Sequence, residues 1–323
     1  MRYAYATRSQ YLAGILTYYE LNDVILNKKR INRYLGEEER PIENRGYTKE
    51  EISKMLEVCD ERVRALILFL ASTGVRIRAI IGLKLRDILA IDTCSLYQVT
   101  IYAESKERYV VYTTPETKTA LDVYFSYRER YGEKLEPESP VFRNQFDRND
   151  PHSVRDVNPI ELRALERLIS RSIEKSGIRT VERSTELNRA KGKIRKNVKL
   201  TTGFRKFFDT QLIYAGVEPR IKEMFMGHSI GLDDHYFKPA DSYVLQEFLK
   251  SVDGLTVNQE NRLKLQVEEL AAKNEANESI IKAKLQEKDE QVQALIKKQE
   301  RFETLIQSLV DSGQLKAATS IGS

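Results

Sequence analysis

At 323 residues the chain is long enough to bury a sizeable core, and its 53 basic against 48 acidic side chains leave a formal net charge of +5, a modest excess suited to a polyanionic partner. With only Cys59 and Cys94, and with His152, His228 and His235 scattered along the chain, neither a disulfide framework nor a structural zinc site is supported. No charged-then-apolar leader opens the sequence, and no apolar run approaches the roughly 18 to 20 residues that span a bilayer, so a soluble, cytoplasmic protein with no membrane partner is expected.

Leu12, Ile15, Leu16 and Tyr19, then Val24, Ile25, Ile31 and Leu35, recur at helical spacing around a break at Asn22 and Asp23. This predicts a helix pair, small for an independent domain. Residues 37–45 are charged, contain Pro41 and lack periodicity, so they read as a linker. Thr48-Lys49-Glu50-Glu51 matches a capping box, in which hydroxyl and carboxylate each satisfy a free amide at a helix start; a new domain begins there.

Helices are predicted over 49–58 and 61–72, the second carrying Val63, Leu66, Ile67, Leu70 and Ala71 on one face. After Asp87 the period changes to two: Leu96, Gln98, Thr100 and Tyr102 alternate with Tyr97, Val99 and Ile101, and an apolar run resumes from Tyr109 to Tyr112. This is a β-hairpin with Lys106 in its turn. Helical patterning returns at 117–131, 160–176, 202–215, 221–226 and 243–252. The expected fold is mainly α with a small antiparallel β-sheet (α+β), followed by a long coiled-coil helix.

Much of the positive excess lies in one stretch, with Arg183, Arg189, Lys191, Lys193, Arg195, Lys196, Lys199 and Lys206, which makes it the candidate contact for a phosphate backbone. Beyond Gly254 the composition turns to Glu, Lys, Gln, Ala and Asn. Val267, Leu270, Asn274, Asn277 and Ile281 fit one a/d seam; Leu285, Lys288, Val292, Leu295, Gln299, Phe302, Ile306 and Leu309 fit another, displaced by four residues. That pattern is a coiled coil with a stutter over 255–310, whose polar core positions leave the partner number open; a long solvated helix or a disordered tail is the other reading. Residues 311–323 are expected to form a flexible tail.

Five residues in fixed order carry the chemistry: Arg76, Lys106, Arg205, His228 and Tyr236. A phosphodiester gains negative charge as it is attacked, so its cleavage without metal calls for two fixed cations, a nucleophile and a proton donor. Arg76 emerges from a glycine turn in Ala71-Ser72-Thr73-Gly74-Val75-Arg76, where its fork is free to grip two phosphate oxygens. Arg205 sits among Phe204, Phe207 and Phe208, which offer a buried face to hold it rigid. His228 follows a short apolar helix in Met226-Gly227-His228, and Tyr236 lies in a polar segment ended by Pro239. With an ordinary pKa near 10, a tyrosine nucleophile needs nearby cations or a base.

These boxes resemble those of the tyrosine recombinases, most closely the archaeal integrases of that family. Thr73-Gly74-Val75-Arg76 resembles the first-arginine box, Thr202-Gly203-Phe204-Arg205 the His-x-x-Arg box, Met226-Gly227-His228 the Leu-Gly-His box, and Tyr236 the nucleophile; Lys106 matches the hairpin lysine. The resemblance covers about residues 46–250 and implies a catalytic domain over 46–252, with 1–45 a partial, truncated helical core-binding region and linker. It implies that Tyr236 forms a 3′-phosphotyrosine, that Arg76 and Arg205 hold the non-bridging oxygens, that Lys106 is the general acid and that His228 hydrogen-bonds the phosphate. Neither cofactor nor metal is implied. The implied partners are double-stranded DNA at a specific site and further copies of the chain, as a tetramer on DNA. The source would be a mobile genetic element.

Three departures stand out. The box histidine is replaced by Thr202, which donates a hydrogen bond but is no acid or base near neutral pH. An acidic residue often found three positions after the first arginine is Ala79. The region before Thr48 is long enough for about half of the usual N-terminal domain. A non-catalytic DNA-binding protein and a type IB topoisomerase, which relaxes supercoils with similar chemistry, are the competing readings.

Overall fold

The computed structural model describes residues 5–36, 44–178, 198–228 and 237–311. The chain divides into two units, Met1–Leu255 and Thr256–Ser323. Among the described residues no helix is long and apolar enough to cross a membrane.

The first unit opens with α1 (Tyr5–Leu21) and α2 (Lys28–Asn32), separated by Asp23 in a left-handed conformation at φ +58°. The side chain of Asn27 caps α2 by accepting from the amide of Arg30 at 2.9 Å. No described residue of 5–36 is buried, so the pair builds no core of its own. The core begins at α3 (Lys49–Glu57), where both halves of the Thr48/Glu51 capping box form. Asp60 caps α4 (Glu61–Thr73), which is buried along nearly its whole length and packs against α6 (Pro115–Arg130), α8 (Leu162–Lys175) and α9 (Thr202–Tyr214). It ends at Gly74, whose φ of +59° is the left-handed cap that stops a helix.

Short helix α5 (Ile77–Ile81) leads into a three-stranded antiparallel sheet of β1 (Ile88–Ile91), β2 (Leu96–Ile101) and β3 (Tyr109–Tyr112), in that order. Ile88 faces Val99, and Ile101 faces Tyr109. The sequence pattern shows the β2–β3 hairpin but not β1: four residues are too few to display an alternation, and β1 exists because the free edge of β2 offers it hydrogen bonds. The unit continues through α7 (Pro151–Arg155), α10 (Pro219–Phe225), α11 (Asp241–Leu249) and α12 (Val252–Leu255). Beneath the sheet Tyr112, Phe225 and Phe248 meet edge to face or tilted, joining β3, α10 and α11 in one aromatic cluster.

The second unit is dominated by α13 (Gln259–Asp311), an uninterrupted helix of 53 residues. The protein is thus mainly helical with one small antiparallel sheet.

Candidate functional site

Arg205, in the first turn of α9, is the fixed point of the site. Its Nη1 donates to the carbonyl oxygen of Gly74 at 2.8 Å, and its Nη2 donates to the carbonyl oxygen of Met226 and meets Nε2 of His228 at 2.9 Å. Both carbonyls cap the C-terminal ends of helices, α4 and α10, where backbone acceptors have no partner within their own helix and carry partial negative charge. Phe204, Phe207 and Phe208 of the same helix are buried, so the apolar face of α9 fixes the turn that carries the guanidinium.

Two glycines set the anchoring carbonyls. Gly74 is left-handed, and a Cβ there would lie 2.3 Å from the Phe208 ring. Gly227 is left-handed too, at φ +59°, and a Cβ there would lie 2.5 Å from the ring of Tyr109. Each glycine therefore serves both a helix stop and a close ring contact.

Arg76 stands just before α5, exposed, and its charge acts on Arg205. Burial, and after it the Arg76 charge, pull the Arg205 pKa below its ordinary value, although a guanidinium remains a cation under all practical conditions. Among the described residues neither arginine has a carboxylate within ion-pair distance. Tyr109 of β3 completes this group. Burial pushes its phenol up, opposed by the charges of Arg205 and Arg76, and its enclosed hydroxyl makes no hydrogen bond of ordinary geometry among the described residues, its nearest polar contact being the Arg205 guanidinium. Sequence reasoning passed Tyr109 over, because an aromatic residue in a strand reads as packing.

His228 is held on both sides. Its Nδ1 lies 2.6 Å from Glu223 Oε2, and the Glu223 carboxyl is held below its ordinary value by Lys222 first and His228 second. Lys222 in turn bridges Glu223 at 2.9 Å and Asp209 of α9 at 2.7 Å. Glu223 too was missed; a single acid on a short helix carries no signal of its own.

Lys106 lies in the turn between β2 and β3, exposed, and among the described residues its side chain makes no hydrogen bond or ion pair. Its turn is tethered beside it by an ion pair between Arg86 and Glu104. The structure thus brings together Arg76, Arg205 and His228 and adds Tyr109 and Glu223, while Lys106 stays on its own turn. Tyr236 lies outside the described residues, as do Arg183, Arg189, Lys191, Lys193, Arg195 and Lys196. Lys199 is exposed just ahead of α9. Lys206 Nζ donates to the Asn44 carbonyl, helping Tyr47, whose hydroxyl donates to Leu200 at 3.0 Å, to dock the start of the core onto α9. Thr202 is exposed as the first residue of α9, and Ala79 is buried. Among the described residues no three potential metal ligands gather in one place.

Comparison with known proteins adds the following. Residues 46–231 match the profile of the phage integrase family. Comparison with curated protein sequences finds no match. Among solved structures, XerA recombinase is similar at 20% identity over 76% of this chain and 75% of that one, with a TM-score of 0.43. The integrase of mycobacterium phage Brujita is similar at 15% identity over 80% and 75%, with a TM-score of 0.44. XerH site-specific recombinase, in a post-cleavage complex with palindromic difH substrate, is similar at 19% identity over 70% and 61%, with a TM-score of 0.47.

Proposed function

Because this chain belongs to the phage integrase family, we propose that it is a site-specific DNA strand transferase that cuts and rejoins DNA through a 3′-phosphotyrosine. The observation that carries the reading is the pairing of Arg205, fixed by two helix-end carbonyls, with Arg76, exposed and without a carboxylate among the described residues. Two cations with no carboxylate within ion-pair distance among the described residues are a place for an external anion, and an immobilised guanidinium stabilises developing charge without reorganising. Arg76 and Arg205 take the non-bridging oxygens of the scissile phosphate. Tyr236 attacks phosphorus, the bond to the 5′ oxygen breaks, and Lys106 protonates that oxygen as it leaves. His228 hydrogen-bonds the phosphate.

Rejoining reverses the attack with a 5′ hydroxyl from another duplex. The energy of the broken ester is kept in the phosphotyrosine bond, so the reaction calls for neither ATP nor metal. The partner is double-stranded DNA at a specific site, bound by a tetramer of the chain, and a mobile genetic element is the natural source. The exposed apolar seam of α13 is suited to coiled-coil pairing.

A nicked suicide substrate carrying the cognate site tests this on a denaturing gel. Wild type is expected to yield a covalent protein–DNA adduct and Tyr236→Phe none; a wild type that binds the DNA but forms no adduct overturns the enzyme. Thr202 at the box-histidine position favours a second reading, a DNA-binding protein without catalysis, and the same gel decides between them.

A further inference from the structure

We propose that Glu223 is the positioning residue of His228, fixing the imidazole in its Nδ1–H form so that Nε2 faces the guanidinium of Arg205. The functional part of this inference rests on the strand-transfer reading above; the structural part does not.

The partners determine the tautomer. A guanidinium nitrogen can only donate, so Nε2, at 2.9 Å from Arg205 Nη2, is the acceptor. The ring proton therefore sits on Nδ1 and is donated to Glu223 Oε2 at 2.6 Å. With both nitrogens engaged the ring cannot turn, and Nε2 becomes the third acceptor, beside the Gly74 and Met226 carbonyls, that orients Arg205.

Glu223 is itself supported. Lys222 holds it at 2.9 Å and is held by Asp209 at 2.7 Å. Asp209 lies one helical turn beyond Arg205 on α9, so the chain of contacts that leaves α9 at Arg205 and runs through His228, Glu223 and Lys222 returns to α9 at Asp209. The charged and titratable groups around the Arg205–His228 pair are Asp209 on α9, Lys222 and Glu223 on α10, Tyr109 on β3 and Arg76 at the start of α5. When a phosphate oxygen takes the place of Arg205 at Nε2, that nitrogen must donate.

Two measurements test the proposal. The first needs no catalysis: long-range proton–nitrogen correlation spectra of the DNA-free protein, in which the chain's three histidines give few signals and His228→Ala identifies the one in question. Wild type is expected to show the Nδ1–H form and Glu223→Ala to lose it, while an Nε2–H form in wild type overturns the proposal whether or not the protein cleaves DNA. The second is single-turnover cleavage of the suicide substrate. Glu223→Ala should slow it by about 10- to 100-fold with DNA affinity unchanged, Glu223→Gln should slow it less because the amide oxygen still accepts, and Glu223→Ala should add nothing in a His228→Ala background. An equal loss in both backgrounds would mean that Glu223 acts by holding α10 to α9 and not through His228.

Discussion

Enclosed guanidinium groups are used in two ways in this protein. Arg128 and Arg143 share Glu133, with Arg143 Nη1 at 2.6 Å from Oε2, all three buried, and further donors go to backbone carbonyls such as Pro140, Val154 and Asp156. They are paired within the protein and structural. Arg205 is held by carbonyls and an imidazole instead, with no carboxylate within ion-pair distance among the described residues. Tyr109, packed on Gly227 beside it, has an enclosed hydroxyl that makes no hydrogen bond of ordinary geometry among the described residues and is left with a contact to the Arg205 guanidinium. Such a contact is the most that Tyr109→Phe removes, so the variant should keep the unfolding free energy within about 1 kcal/mol of wild type or raise it, as read from urea denaturation. A larger loss would show that the hydroxyl is bonded in solution.

At the scale of elements, helix ends do the positioning. The C-termini of α4 and α10 supply the carbonyls that orient Arg205, and the N-terminus of α3 starts the core with Thr48 and Glu51. Glu51 accepts from the Thr48 amide at 2.9 Å and pairs with Arg45 at 2.5 Å; the Arg45 hydrogen bond, the largest cause, holds its carboxyl below the ordinary 4.5. A carboxyl depressed in the folded state contributes stability that is fully present above its unfolded value and lost as the pH falls through its folded value. Wild type should therefore lose stability on acidification below about 4.5 more steeply than Glu51→Gln. Parallel curves would show that the Arg45 pairing adds nothing in solution.

At the scale of the whole molecule, α13 presents Val267, Leu270, Leu285, Val292, Leu295, Phe302 and Ile306 to solvent. A helix of 53 residues, roughly 80 Å long, gains little from such a stripe unless another helix covers it. Replacing Leu285 and Leu295 together with lysine in the full chain should lower the mass found by sedimentation velocity. An unchanged mass would mean that the seam does not hold copies together.

The sequence by itself determined whatever depends on near neighbours in the chain: the Thr48 cap, the glycine stop after α4, the hairpin turn that carries Lys106, the phenylalanines beside Arg205 and the helical patterning of α13. Periodicity and capping are local physics, and their signals lie within a few residues of each other. Only the tertiary structure decided which groups meet. Arg205 reaches Gly74 across 131 residues, Tyr109 joins the arginines from a strand, β1 pairs along the edge of β2, and Lys206 turns to the Asn44 carbonyl. Glu223 belongs with them despite lying five residues from His228, because the left-handed Gly227 reverses the chain between them and brings the ring back onto the helix. Such encounters follow from how the elements pack, and no local pattern records them.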